Sequence, residues 1–190
     1  EYDITMAFSD YISNSVLAKI GNDCFLEVGP PRWDEADYQL AKKFLQSYDS
    51  KTQEAIREEL EEVYGDENID EVLEKPLDSK VHPWDSSNRR YRSGSTDVGD
   101  VSYVVPTLNF NVATACVGNV GHTWQMTAQS GSGIGEKGML VAAKVMGLSA
   151  IRTMDDEDAI GRAKEFVKKQ NGGKYSCPLP EDLKPPIGTY

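Results

Sequence analysis

The sequence predicts an α/β fold in which helices pack on a sheet, and three observations carry that expectation. Residues 108–115 and 123–128 read as strands, the second because Trp124, Met126 and Ala128 alternate with polar neighbours. Several longer segments repeat apolar residues three and four apart, the spacing of a helix with one buried face. The opening residues 2–8, YDITMAF, alternate like a further strand.

The elements follow in order. Ser13, Asn14 and Ser15 are helix-capping types, and Val16, Leu17, Ile20, Cys24 and Val28 then recur at helical spacing until Gly29-Pro30-Pro31 ends the first helix. A second helix is expected from Asp34, with Tyr38, Ala41, Phe44 and Leu45 inward. Ser50 opens a third, with Ala55, Ile56, Leu60 and Val63 inward as far as Gly65, and residues 69–73 make a short fourth turn. Residues 76–100 lose all periodicity and predict a long irregular loop, a length that is uncommon unless functional or disordered. The two expected strands flank Gly118-Asn119-Val120-Gly121-His122. Met139, Leu140, Ala142, Ala143, Val145, Met146 and Ile151 predict a long buried helix from about Gly135. Residues 155–169 form the last helix, with acids in its first turn and Gly172-Gly173 after it. Pro178, Pro180, Pro185 and Pro186 mark the tail as an extension.

With 190 residues, 39% hydrophobic and 27% charged, the chain has the length and balance of one globular domain or a little more. No apolar run approaches the ~20 residues of a membrane span, and no basic segment leading into an apolar one marks a secretory leader here. The net charge of −11 argues against a protein that tracks nucleic-acid phosphates. Fourteen Asp and Glu against four Lys and Arg between Asp34 and Glu74 give −10 of that total, a pattern of solvated helix faces. Cys24, Cys116 and Cys177 are odd in number and far apart, which fits neither a metal pair nor a disulfide framework and leads us to expect a reducing cytoplasm. A chain that opens inside a strand reads as part of something longer.

Few residues invite chemistry. Of the two histidines, His82 and His122, the second follows Gly121 at the mouth of the expected sheet. A metal needs at least three protein groups, so spacing alone leaves His122 open as ligand or as structure. Asp97 and Asp100 would orient a ligand or cap a turn. The segment 133–138 matches G-x-G-x-x-G, but a helix runs where a second parallel strand is required, so it reads as a turn into a closely packed helix. The pairs Glu58-Glu59 and Glu61-Glu62 sit on a wet helix face.

Three segments, STDVGDVSYVVP at 95–106, GHTWQ at 121–125 and KGMLVAAKVM at 137–146, together resemble the zinc-type aminoacylase and carboxypeptidase metallohydrolases, in their amidohydrolase branch. The resemblance implies the C-terminal half of an α/β catalytic domain, helices on a mixed sheet, over residues 13–190, preceded at 1–12 by the end of a ferredoxin-like lid that dimerises. It implies a hydrolase that cleaves N-acyl amino acids such as p-aminobenzoyl-glutamate with two divalent ions, zinc or manganese. His122 falls on the family's last metal ligand; the other ligands and the glutamate general base belong to the half before the lid, so the 190 residues alone should be inactive. Asp97, Asp100 and Gly121 become residues that support the site, Gly94 and Gly99 would let the backbone come close to it, and Arg89, Arg90 or Arg92 would pair with a substrate carboxylate. The implied partners are the N-terminal half, the substrate, and a second copy or a related subunit, with no nucleic acid and no membrane. A dipeptidase or carboxypeptidase of the same family, or a non-catalytic subunit or dimerisation module, are the alternatives.

Overall fold

Among the described residues the expected sheet is absent. In a computed structural model that describes residues 6–85 and 96–183, the described residues form eight helices and no strand. The α/β expectation of helices packed on a mixed sheet is therefore corrected to an all-helical arrangement. Residues 108–115 form neither strand nor helix, and residues 123–128 lie in a helix with its cap. Of the strand expected at 2–8, residues 6–8 form none and the rest lies outside the described residues.

The early helix starts and the glycine stops act as read; the last helix departs, beginning at Ala159 rather than at 155 and with no acid in its first turn. Helix α1, Ser15–Val28, begins after Asn14, whose side-chain oxygen accepts from Leu17 N at 3.2 Å. Helix α2, Glu35–Gln46, carries a full capping box between Asp34 and Asp37. Helix α3, Ser50–Tyr64, is capped by Asp49 and ended by Gly65 at φ 85°. Helix α4 covers Ile69–Glu74, and two further helices depart from the expectation. Helix α5, Val98–Val104, begins inside the expected loop, and α6, Trp124–Ser130, replaces the expected strand. The long helix α7 covers Gly133–Asp155, and α8, Ala159–Asn171, ends on left-handed Gly172.

The departure at α6 has a physical reason. Thr123 caps the helix, and its buried residues are Gln125 and Gln129, four apart, while Trp124 is 63% exposed. With polar residues inward and an aromatic outward, hydrophobic alternation points to the wrong element.

Helix α7 has only part of the burial expected of it. Val145 is enclosed, whereas Met139, Leu140 and Met146 are 60%, 57% and 60% exposed. Their expected burial is corrected: they lie on the outer side of the helix, away from the side that holds Ile134 and Val145. The glycines of 133–138 do serve close packing, since a Cβ on Gly138 would collide with the Ala113 carbonyl.

The chain divides into two compact units, which interleave in sequence. Of the described residues, one unit comprises 6–21, 84–85, 96–110 and 150–183. There α5 packs on α8, and the segment before α1 runs against α5: a Cβ on Gly99 would strike the Ser9 carbonyl, and Ile12 N donates to the buried Ser102 hydroxyl at 2.9 Å. Buried Asn14 donates to Ala163 O at 3.0 Å, so one side chain both starts α1 and ties it to α8.

The other unit comprises residues 22–83 and 111–149. One core cluster joins Ala41, Leu77, Cys116 and Ile134; a second joins Tyr48, Ile56, Leu60 and Ile69 on and beside α3 and α4. Lys137 of α7 pairs with Asp34 at 2.8 Å and with Asp37, fastening α7 to the capped start of α2.

Candidate functional site

The loop between Cys116 and α6 presents His122. It enters through Gly118 at φ 72°, where a Cβ would collide with the Ile56 side chain, so the loop lies flat on α3. Gln129, fully buried on α6, then fixes it twice: its amide accepts from Cys116 N at 2.8 Å and donates to Asn119 Oδ1 at 2.6 Å. Tyr48 adds a third tie, accepting from Val120 N at 3.1 Å and donating to Asn119 Oδ1 at 3.3 Å. Thr123 donates to Val120 O at 2.8 Å while capping α6. Gln125 reaches Ser47 at 3.2 Å.

Within this frame His122 has φ 59°, the one positive φ outside glycine among the described residues. A left-handed conformation costs an L-residue about 1–2 kcal/mol, and such strain persists where the surroundings over-determine it. The bonds of Gln129, Tyr48, Asn119 and Thr123 do so here. The imidazole itself is exposed and makes no hydrogen bond or ion pair among the described residues. Gly121 beside it faces open space. His82 differs: its Nε2 lies 2.7 Å from Asp78 Oδ2, in an i, i+4 pair. The Cys116 thiol, buried against the same loop, is pushed up to about 11 by desolvation.

The remaining expected site residues are placed as follows. Asp97 and Asp100 stand at the start of α5, in the other unit from His122 and Gly121. Asp97 is exposed and caps nothing; its carboxylate accepts from Thr96 Oγ1 at 3.4 Å. Asp100 is a structural hub, accepting from Ser9 N at 3.2 Å, Ser9 Oγ at 2.7 Å and Tyr175 OH at 2.9 Å. Those donors, the Ser9 hydroxyl foremost, hold its carboxyl below the usual aspartate range. A lowered folded-state pKa contributes stability above the unfolded value and loses it as pH falls through the folded one. Asp100→Asn is therefore expected to flatten the loss of stability on acidification below about pH 4, as read by urea midpoints from about pH 6 to 2; an unchanged slope would contradict the role. Gly94, Arg89, Arg90 and Arg92 lie outside the described residues. An open groove of about 590 Å³ between α2, α3 and α4 contains none of the expected residues, and its cations are paired, Lys42 with Glu74 and Arg57 with Glu61 and Asp70.

The signal for the frame around His122 is partly in the sequence. Thr123 is a helix-capping type, but nothing in Gln125 or Gln129 alone marks them as inward residues. Tyr48, 71 residues from Asn119, carries no mark either.

The decisive comparison is with a curated protein. The chain is similar to a subunit of p-aminobenzoyl-glutamate hydrolase from Escherichia coli. The two are 27% identical over 183 residues, which is 94% of this chain. The resemblance read from the three motif segments is thereby borne out. The chain spans 38% of the length of that relative. No family model matches the chain, and no solved structure matches it. Among the described residues no helix is long and apolar enough to cross a membrane.

The residues of the loop also test the implied metal. One free imidazole on a rigid, strained loop fits a single ligand of a zinc or manganese site. Among the described residues no three His, Cys, Asp or Glu side chains converge to complete one.

Proposed function

We propose that this chain is the C-terminal part of a metal-dependent amidohydrolase that cleaves N-acyl amino acids of the p-aminobenzoyl-glutamate type, with His122 as one metal ligand. The observation that carries the reading is the His122 loop: a locked backbone, a left-handed histidine and an imidazole with no other partner among the described residues. The similarity to a p-aminobenzoyl-glutamate hydrolase supports the substrate class. Zinc or manganese, when bound, lowers the pKa of a coordinated water and polarises the amide carbonyl. This chain contributes an imidazole in fixed orientation and, at Gly121, space beside it. The other ligands and a glutamate base come from polypeptide outside these residues. That the relative is named as a subunit supports assembly with a related subunit, and the three thiols, all free, agree with a reducing cytoplasm.

The test compares the 190-residue chain with the longer protein that contains it, each given p-aminobenzoyl-glutamate with zinc or manganese. The longer protein is expected to add water across the amide, releasing p-aminobenzoate and glutamate, and to lose this on chelation. The chain alone is expected to release none. Turnover by the chain alone above a His122→Ala control, or none by the longer protein with either metal, would refute the reading.

A further inference from the structure

The outer side of α7 is a bare apolar stripe. Met139, Leu140, Met146, Ile151 and Met154 are each more than half exposed. At about 100° per residue they share a sector of ~140°, and over about 15 residues the stripe runs about 22 Å along the helix. Between them stand Ala143, Gly147 and Ala150, also exposed, and a Cβ on Gly147 would meet nothing. No charged residue falls in that sector from Met139 to Met154. The opposite side buries Ile134, Gly135, Gly138, Val145 and Ser149. Lys137, Lys144 and Arg152 lie outside the stripe rather than interrupt it, and an exposed apolar patch of this extent marks a contact surface.

We infer that this stripe is the docking face for the rest of the chain's own longer polypeptide, the part corresponding to the length of the hydrolase relative that these residues do not span. The inference rests on the functional reading above. Two observations choose this occupant. The chain matches the relative over nearly all its own length but spans only 38% of that protein, so most of the relative's polypeptide lies outside it. A second copy is the poorer fit, because each chain carries −11 and the stripe has no charge to offset that repulsion. The small residues let a partner backbone come close between the methionines.

The methionines supply the readout. Dilute peroxide converts an accessible thioether to the sulfoxide, and mass spectrometry gives the rate at each site. The experiment treats the 190-residue chain at two concentrations and the longer protein, with a methionine peptide in each sample as reference. Met139, Met146 and Met154 are expected to oxidise at least tenfold more slowly in the longer protein, and at the reference peptide's order of rate in the chain alone at both concentrations. Equal rates in the two proteins would overturn the inference. Protection in the chain alone that grows with concentration would also overturn it and assign the face to a second copy. An active longer protein with unprotected methionines would sink the docking face and leave the functional reading standing; protected methionines in an inactive one would do the reverse.

Discussion

Replacing His122 with Ala in the longer protein is expected to abolish amide hydrolysis and leave the fold intact. Losing a group that merely orients a metal ligand costs about 10–100-fold in affinity or activity, so losing a ligand should cost at least the upper end of that range in kcat/KM. Stability should hardly change, because the imidazole is exposed and touches no partner among the described residues. His122→Gly separates function from strain. Glycine adopts φ 59° freely, so this variant should be about 1 kcal/mol more stable than wild type and just as inactive as Ala. His82→Ala, which removes an exposed pair with Asp78, should keep full activity. Steady-state kinetics and urea unfolding of the three variants check all of this. An active, stabilised His122→Gly would mean that the strained histidine serves neither metal nor catalysis.

Gln129→Leu is expected to be the most damaging change around the loop that leaves His122 itself untouched. Leucine fills a similar volume but offers no amide, so Cys116 N loses its buried acceptor and Asn119 Oδ1 its closest donor. A buried polar group left unpaired costs about 1–3 kcal/mol; Cys116 N is such a group, whereas Asn119 Oδ1 keeps its longer bond from Tyr48, which puts the loss at about 1–3 kcal/mol for the unit. The loop from Cys116 to His122 would keep its bonds to Tyr48 and Thr123 and the Val117 N bond to Pro76 O, but would lose its one tie to a fully buried side chain. Amide exchange at 116–122 should accelerate with it, and metal affinity in the longer protein should fall although every proposed ligand remains. A destabilisation under about 0.5 kcal/mol would show that this amide does not hold the loop.

How far the sequence is legible follows from what each element uses as its signal. Where a helix is set by local chemistry it can be read: Asn14, Asp34 and Asp49 cap as their types dictate, and Gly29, Gly65 and Gly172 end helices in positive φ. Where the inward residues are polar, the pattern misleads. Gln125 and Gln129 face in while Trp124 faces out, and the alternation of that segment has nothing to do with a sheet. In α7 the mismatch has another origin: apolar residues on both its inner and its outer side predict burial, but within these residues only one side is covered. Helix α5 is hidden because its start carries no side-chain cap and its buried residues are Gly99 and Ser102. His122 itself is visible from its glycine neighbour and from the motif around it. Its left-handed backbone and the ties of its loop to Tyr48 are not, since they come from contacts across more than seventy residues.

Whether His122 holds a metal can be seen in a crystal of the longer protein grown with zinc, with anomalous scattering recorded at the zinc edge. An anomalous peak is expected about 2.0–2.1 Å from an imidazole nitrogen of His122, with the remaining ligands drawn from polypeptide outside these residues. A zinc ion bound elsewhere, with the His122 imidazole still free in solvent, would contradict the role of His122 as a ligand.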